Sequence, residues 1–292
     1  MTFKERRRLF WIFSSLFAVL ALPILLYATG WRLTSEFTFK RTGGLFVSVG
    51  GSEVEIFVDG ELEKRTNLLQ SGLFLQGLTP GKISVIAAKE NHWPWAKELE
   101  IKESAVTEAR AFLVPKEPKG EVLIQGNYTN IYFIQEKDLL VLERNKNGIK
   151  SFDFYNPADK KFDFNSAFQP SEFTLSTINI TDIRKRVLVK ISDGKNEIVA
   201  AWTSDDPLPY FFEKSGEISV FKSRVAIRGI GFYPGRRDII LIAVENGIFA
   251  LELDGRGTRN FQPVYKGKNP TFVVLEDLIY ILDDRHLFEV SL

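Results

Sequence analysis

From Leu9 through Trp31 the chain carries no charged residue. Wound as a helix rising about 1.5 Å per residue, Leu9–Ala28 alone would span roughly 30 Å, the hydrocarbon thickness of a bilayer. Lys4, Arg6, Arg7 and Arg8 stand just before this run, and the far flank opens more neutrally with Arg32 and Glu36. Basic residues are retained in the cytoplasm. The expected arrangement is therefore a cytoplasmic tail over 1–8, a transmembrane signal anchor over 9–31 and an extracytoplasmic remainder. Trp11, Tyr27 and Trp31 lie near the two ends, where aromatic rings prefer the membrane interface. A cleavable signal peptide is the competing reading. Its apolar region would normally be shorter, about 7–15 residues, and Ala28-Thr29-Gly30 is only a passable cleavage site. A buried core helix fits less well, because every face is apolar and the flanks are asymmetric.

The rest of the 292 residues reads differently. Phe is abundant, at 25 residues, and that bias suits pleated, half-buried surfaces. The chain has no Cys and only two His, His92 and His286, far apart in sequence. Disulfides, thiolate chemistry and Cys-ligated zinc are excluded, and a His-rich metal site is not expected. No cofactor is called for. A net charge of +1 offers no global field for nucleic acid. A disulfide-free exterior fits a bacterial envelope.

After a juxtamembrane spacer over 32–42, short strands begin at Gly43. Val54, Ile56 and Val58 alternate with Glu55, Phe57 and Asp59, and Asp59-Gly60 supplies the positive φ of a tight hairpin. Leu73-Phe74-Leu75 is another strand, Thr79-Pro80-Gly81 another turn, and Ile83, Val85 and Ala87 alternate again. About seven strands before Pro115 indicate a small β-sandwich. The runs Val54-Glu55-Ile56-Phe57-Val58-Asp59-Gly60 and Leu78-Thr79-Pro80-Gly81-Lys82-Ile83-Ser84-Val85, with Phe112-Leu113-Val114-Pro115 closing the region, resemble the PEGA domain over 43–115. The loop Lys64-Arg65-Thr66-Asn67 departs from the Gly-x-Thr-Pro that this family often carries. The resemblance implies a surface or envelope module without enzymatic activity of its own.

Within this region His92-Trp93-Pro94-Trp95 falls in a loop. Exposed indoles stack on sugar rings or dock partners, which makes Trp93 and Trp95 the candidate partner-binding residues. The plainer reading, favoured by how often indoles are buried, folds Trp93 back over the sandwich and leaves only Trp95 partly exposed.

Residues 116–120, with Pro118 and alternating charge, read as a stiff linker. Beyond it apolar hairpins recur every 40–55 residues, starting near Ile131, Val187, Ile239 and Leu278, as in propeller blades. Strands at 226–233 and 261–265 would make the third a four-stranded blade. The run Phe232-Tyr233-Pro234, Asp238–Ile242, Gly247–Gly255 and Arg259 resembles the repeat of Tol-B-like propellers, with Gly235-Arg236 where that repeat has Asp-Gly. Asp254-Gly255-Arg256-Gly257 reads as a hairpin turn. The last blade lacks strands of its own, so the strand 121–125 is expected to complete it, removing two open sheet edges. The apolar run Ile239–Val244 is expected to be an inner strand.

The fold expected is thus all-β after one N-terminal transmembrane helix: a small β-sandwich, then a small or incomplete β-propeller-like domain over 121–292. The function expected is non-catalytic, a single-pass cell-membrane protein presenting β domains to a protein or cell-wall glycan partner. The alternatives are a propeller enzyme with its site scattered over loops, and a structural spacer or assembly subunit. Against the enzyme stand the missing Cys, the two distant His and the lack of a Gly-x-Ser-x-Gly elbow.

Overall fold

A computed structural model describes residues 3–28, 30–33, 38–67, 69–134, 137–163, 181–184, 186–192, 194 and 196–292. The chain forms two compact units that do not divide at a single point. Met1–Ala87 and Glu98–Phe112 form one, and Ala88–Lys97 and Leu113–Leu292 the other.

The first unit opens with helix α1, Phe3–Ala28. Its stretch Arg6–Ala28 is long and apolar enough to cross a bilayer, and none of that stretch is buried. Such a helix suits a membrane anchor or a signal sequence. Pro23 lies inside it, which an apolar helix tolerates. The expected spacer over 32–42 contains an antiparallel strand pair, β1 (Trp31–Leu33) with β2 (Phe39–Arg41).

Two sheets follow. Strands β3 (Gly43–Ser48), β4 (Glu55–Val58), β5 (Glu61–Arg65), β6 (Gly72–Leu78), β7 (Gly81–Ala88), β8 (Trp95–Ile101) and β9 (Val106–Arg110) sort into a three-stranded sheet, β6-β3-β9, and a four-stranded sheet, β5-β4-β7-β8. Strand β3 runs antiparallel to β6 and parallel to β9. Alternation turns Leu45, Val47, Ile56 and Val85 into the core, all fully buried. Asp59 and Gly60 both take positive φ, 49° and 87°, which is what the two-residue turn between β4 and β5 requires.

Among its described residues the second unit holds four four-stranded antiparallel sheets. Strand β10 (Lys119–Gln125) begins within the stretch expected as linker. Blade one is β11 (Asn130–Ile134), β12 (Leu139–Lys146), β13 (Ile149–Asn156) and β14 (Lys161–Phe162). Blade two is β15 (Thr181–Arg184), β16 (Val187–Ile191), β17 (Glu197–Trp202) and β18 (Glu217–Lys222). Blade three is β19 (Gly229–Phe232), β20 (Ile239–Val244), β21 (Gly247–Glu252) and β22 (Phe261–Lys266). Blade four is β23 (Thr271–Leu275), β24 (Leu278–Asp283) and β25 (His286–Ser291), completed by β10 in the order β10-β25-β24-β23.

The expected pairing of 121–125 with the end of the chain is therefore present. Lys119 stands opposite Ser291 and Gln125 opposite His286, with one bulge between Val122 and Ile124. The first strand of each blade lies innermost. Strand β19 lies against β15 and β23, and β23 lies against β11. Ile239–Val244 is fully buried, but it runs second in its blade; Gly229–Phe232 is the innermost strand. The close approach there needs Gly231, where an added Cβ would sit 3.2 Å from the Phe272 ring. One apolar core joins blades two and three, through Val189, Ile198, Ile230, Phe232 and Ile242. Another joins blades one and four, through Ile131, Leu140, Val273, Leu282 and Leu287, with Ile124 of β10 included. The last blade is thus fastened to the first by packing as well as by the strand pair.

Seven tyrosines of this unit, Tyr128, Tyr132, Tyr155, Tyr210, Tyr233, Tyr265 and Tyr280, have their pKa raised, burial being the largest cause in each. Tyr132, whose hydroxyl also donates to Glu143 at 2.7 Å, and Tyr233 are pushed up to about 12. In the unfolded chain a phenol releases its proton near pH 10. Above that pH the unfolded state holds fewer protons than the folded one, so stability falls as pH climbs from about 10 through 12. Thermal midpoints measured across pH 9–12 should drop steeply in this window, and Tyr132→Phe should make the drop shallower.

Candidate functional site

Trp93 and Trp95 sit at the hairpin end of β7 and β8, within Ala88–Lys97 of the second unit. The tip turns at Lys89–His92, where the His92 N–H donates to the Lys89 carbonyl at 3.2 Å and Asn91 takes a φ of 56°. Asn tolerates that left-handed conformation better than most residues. The segment 114–116 runs alongside. Trp93 N donates to Val114 O at 2.9 Å, and Lys116 N to Asn91 O at 2.8 Å.

The two indoles have opposite fates, and neither is as the sequence favours. Trp93 is 37% exposed, with the Lys116 ammonium 5.4 Å from its ring centroid. Trp95 is fully buried, and its Nε1 donates to Glu252 Oε1 at 3.2 Å. Trp95 is therefore not a surface residue. The physical reason is register: β8 starts at Trp95 and alternates strictly, so Trp95, Lys97, Leu99 and Ile101 all point inward.

Lys97 is the consequence. It is almost completely buried, and its ammonium donates to Glu252 Oε2 at 2.9 Å and to the Asp254 carbonyl at 3.0 Å, with Asp254 Oδ2 at 3.6 Å. Asn260 binds the backbone of Ala96 at both its N–H and its carbonyl, and donates to Glu252 at 2.9 Å. Gln262 does the same for two separate segments, accepting from Val114 N at 3.0 Å and donating to Pro94 O at 3.1 Å. The charged network extends further. Arg256 binds Asp254 at 2.7 Å and lies 5.0 Å over the Tyr210 ring. Arg236 pairs with Asp238 through two bonds of 2.8 and 2.7 Å. Tyr210 Oη lies 3.4 Å from Asp238, and its pKa is raised by burial first and by the Asp238 charge second. Three buried carboxylates thus face three cations.

None of these residues was singled out from sequence as a site. The signal was present in Trp95-Ala96-Lys97-Glu98-Leu99-Glu100-Ile101, where a lysine occupies an inward position of an alternating strand. Gly235-Arg236, the departure from the Tol-B-like repeat, supplies the guanidinium that neutralises Asp238.

On the solvent side, a cleft of about 550 Å³ is lined by Asn91, His92, Pro115, Lys116, Glu117, Lys119, Ser291 and Leu292. One of its cations, Lys116, lies beside the partly exposed ring of Trp93. This combination suits binding of a polar ligand by stacking and charge. Among the described residues, no group of three or more His, Asp or Glu is placed to hold a metal ion.

No family model matches the chain, and no curated protein matches its sequence. The PEGA and Tol-B-like resemblances therefore stand on their motifs alone. Solved structures to which it is similar include the β-propeller domain of Cps50 (Swd1) from Myceliophteria thermophila, at 10% identity and a TM-score of 0.25, covering 87% of this chain and 84% of that one. The WD40 domain of Toxoplasma gondii coronin matches at 9% identity and 0.21, covering 90% and 83%. The AfRom2 CNH domain matches at 12% and 0.24, covering 79% and 70%. Likenesses at these TM-scores carry no functional argument. The propeller-like character rests on the strand order.

The buried cluster makes a direct forecast. Lys97→Met leaves Glu252 and Asp254 without their shared counter-ion and should destabilise the protein by about 3–5 kcal/mol. Adding Glu252→Gln to that variant should recover part of the loss, a coupling of about 0.5–3 kcal/mol in a double-mutant cycle of thermal midpoints.

Proposed function

We propose that the chain is a non-catalytic, single-pass protein of a bacterial cell envelope. On this reading its β units stand outside the membrane and bind a protein or cell-wall glycan partner. The observation that carries it is α1, an unburied apolar helix entered through Lys4, Arg6, Arg7 and Arg8 and followed, among the described residues, by strands rather than further helices. The basic flank favours a cytoplasmic N-terminus. The docking place is the cleft beside Trp93, where Lys116 lies 5.4 Å from the indole centroid and Lys119 adds a second cation to the lining.

Protease added to spheroplasts should digest residues beyond Trp31 and spare a tag at Met1; a protected C-terminal tag would overturn the orientation. Captured on beads from native membranes, the full chain should retain a specific protein or bind purified cell-wall glycan. Trp93→Ala should weaken that binding about fivefold or more, the loss of roughly 1–3 kcal/mol that one stacked aromatic contributes. Turnover of the bound partner would point to an enzyme instead.

A further inference from the structure

The buried charges at the end of blade three bring an amine and a carboxamide onto one carboxyl oxygen. Glu252 ends β21, and Asn260 stands opposite it just before β22, where the Glu252 N–H donates to the Asn260 carbonyl at 3.0 Å. Their side chains meet as well. Asn260 Nδ2 donates to Glu252 Oε2 at 2.9 Å, and Lys97 Nζ donates to that same oxygen, also at 2.9 Å. The side chains of Lys97 and Glu252 are both buried.

Two of the three carboxylates in this cluster have a guanidinium each. Asp254, whose Oδ2 also lies 3.6 Å from Lys97, is bound by Arg256 at 2.7 Å, and Asp238 is bound by Arg236 at 2.8 and 2.7 Å. The remaining pair, Lys97 with Glu252, can lose its charges together when one proton moves along the bond from Nζ to Oε2. A buried ion pair gains little over its desolvation cost, so the neutral form, an amine beside a carboxylic acid, is within reach. Asn260 is held ready for such an amine. Its Oδ1 accepts from the Ala96 N–H at 3.0 Å, a donor placed where negative charge develops when a nucleophile adds to the carboxamide. Its Nδ2 is fixed by the Ala96 carbonyl at 3.1 Å as well as by Glu252. Groups held side by side in a dry site react far faster than the same groups in solution.

We propose that Lys97 and Asn260 become joined by an amide bond between their side chains. The Lys97 amine, having given a proton to Glu252 Oε2, swings onto Asn260 Cγ and forms the new C–N bond. Glu252 then gives its proton to Nδ2 and takes one from the attacking nitrogen, the two atoms that its Oε2 already touches. The bond from Cγ to Nδ2 breaks, and ammonia leaves past Asn260, which is only half-buried. One ammonium, one carboxylate and one carboxamide are consumed; one amide, one carboxylic acid and one ammonia are formed, and nothing is oxidised or reduced. The cluster loses one charge of each sign, so its two arginine–aspartate pairs stay matched. The bond fixes the segment 94–97 to blade three independently of salt.

The test is the intact mass of the full chain, purified in mild detergent and measured after denaturation. The wild type should be lighter than its sequence by one ammonia, and a digest should yield a branched peptide that joins Lys97 to Asn260. K97R, which keeps a cation but has no nucleophilic amine, and N260A should each show the full sequence mass. E252Q keeps both reacting groups but removes the proton relay, and should form the bond about a hundredfold more slowly or not at all. A wild type of full sequence mass after days at room temperature overturns the proposal. So does an ammonia loss carried by a cyclised Asn260 on an unbranched peptide. Unslowed bond formation in E252Q overturns the role given to Glu252. The wild-type mass and digest decide for or against the bond even where a variant does not fold.

Discussion

A buried ammonium group is the constraint around which the second unit is arranged. Lys97 cannot stay charged in the interior unless carboxylates meet it, because the desolvation of a lone ion exceeds what packing returns. Glu252 and Asp254 meet it from the end of β21 and the turn beyond. Each of those acids is held by a further partner: Asn260 and Trp95 on Glu252, Arg256 on Asp254. These bonds fix the segment 94–97 to that end of blade three. The residues nearest the surface, Asn91 to Trp93, inherit a rigid base, and a binding face needs little more than that to be precise.

Much of the architecture was legible because it follows from period and turn chemistry. Val54–Gly60 alternates and then turns through Asp-Gly, and the structure has a strand and a positive-φ pair there. The third blade was legible in full, from Gly229–Phe232 to Phe261–Lys266, because its strands are apolar and its turns are polar. The completion of the last blade followed from counting strands against edges. What was not legible was depth. Trp93 and Trp95 look alike in the sequence, and only the point at which β8 begins sends one inward. The order of strands within a blade was equally hidden, since a fully apolar run such as Ile239–Val244 shows that both faces are covered but not which neighbours cover them. Long-range polar partners such as Gln262 with Pro94 leave no local trace at all.

Two kinds of surface emerge from this. Near α1 the exposed residues are aromatic and basic and lie where a helix would leave a bilayer. Around Trp93 the ring sits on a hairpin braced by buried charge, with Lys116 on the neighbouring segment beside a cleft. The second suits a shaped partner, because the backbones of Trp93 and Lys116 are held by bonds between 91–93 and 114–116.

The pairing of β10 with β25 carries a consequence for how the chain is made. Lys119 leaves the ribosome about 170 residues before its partner Ser291. At about 5–20 residues per second, the first strand of the propeller waits on the order of 10–30 s with its hydrogen-bonding edge open. Pairings between such distant segments are intrinsically slow to form. An unfinished ring is also the state in which a chain is still thin enough to be threaded through a narrow passage. A sheet completed by strands this far apart in sequence thus carries a built-in delay, which keeps the chain threadable until β25 has been made.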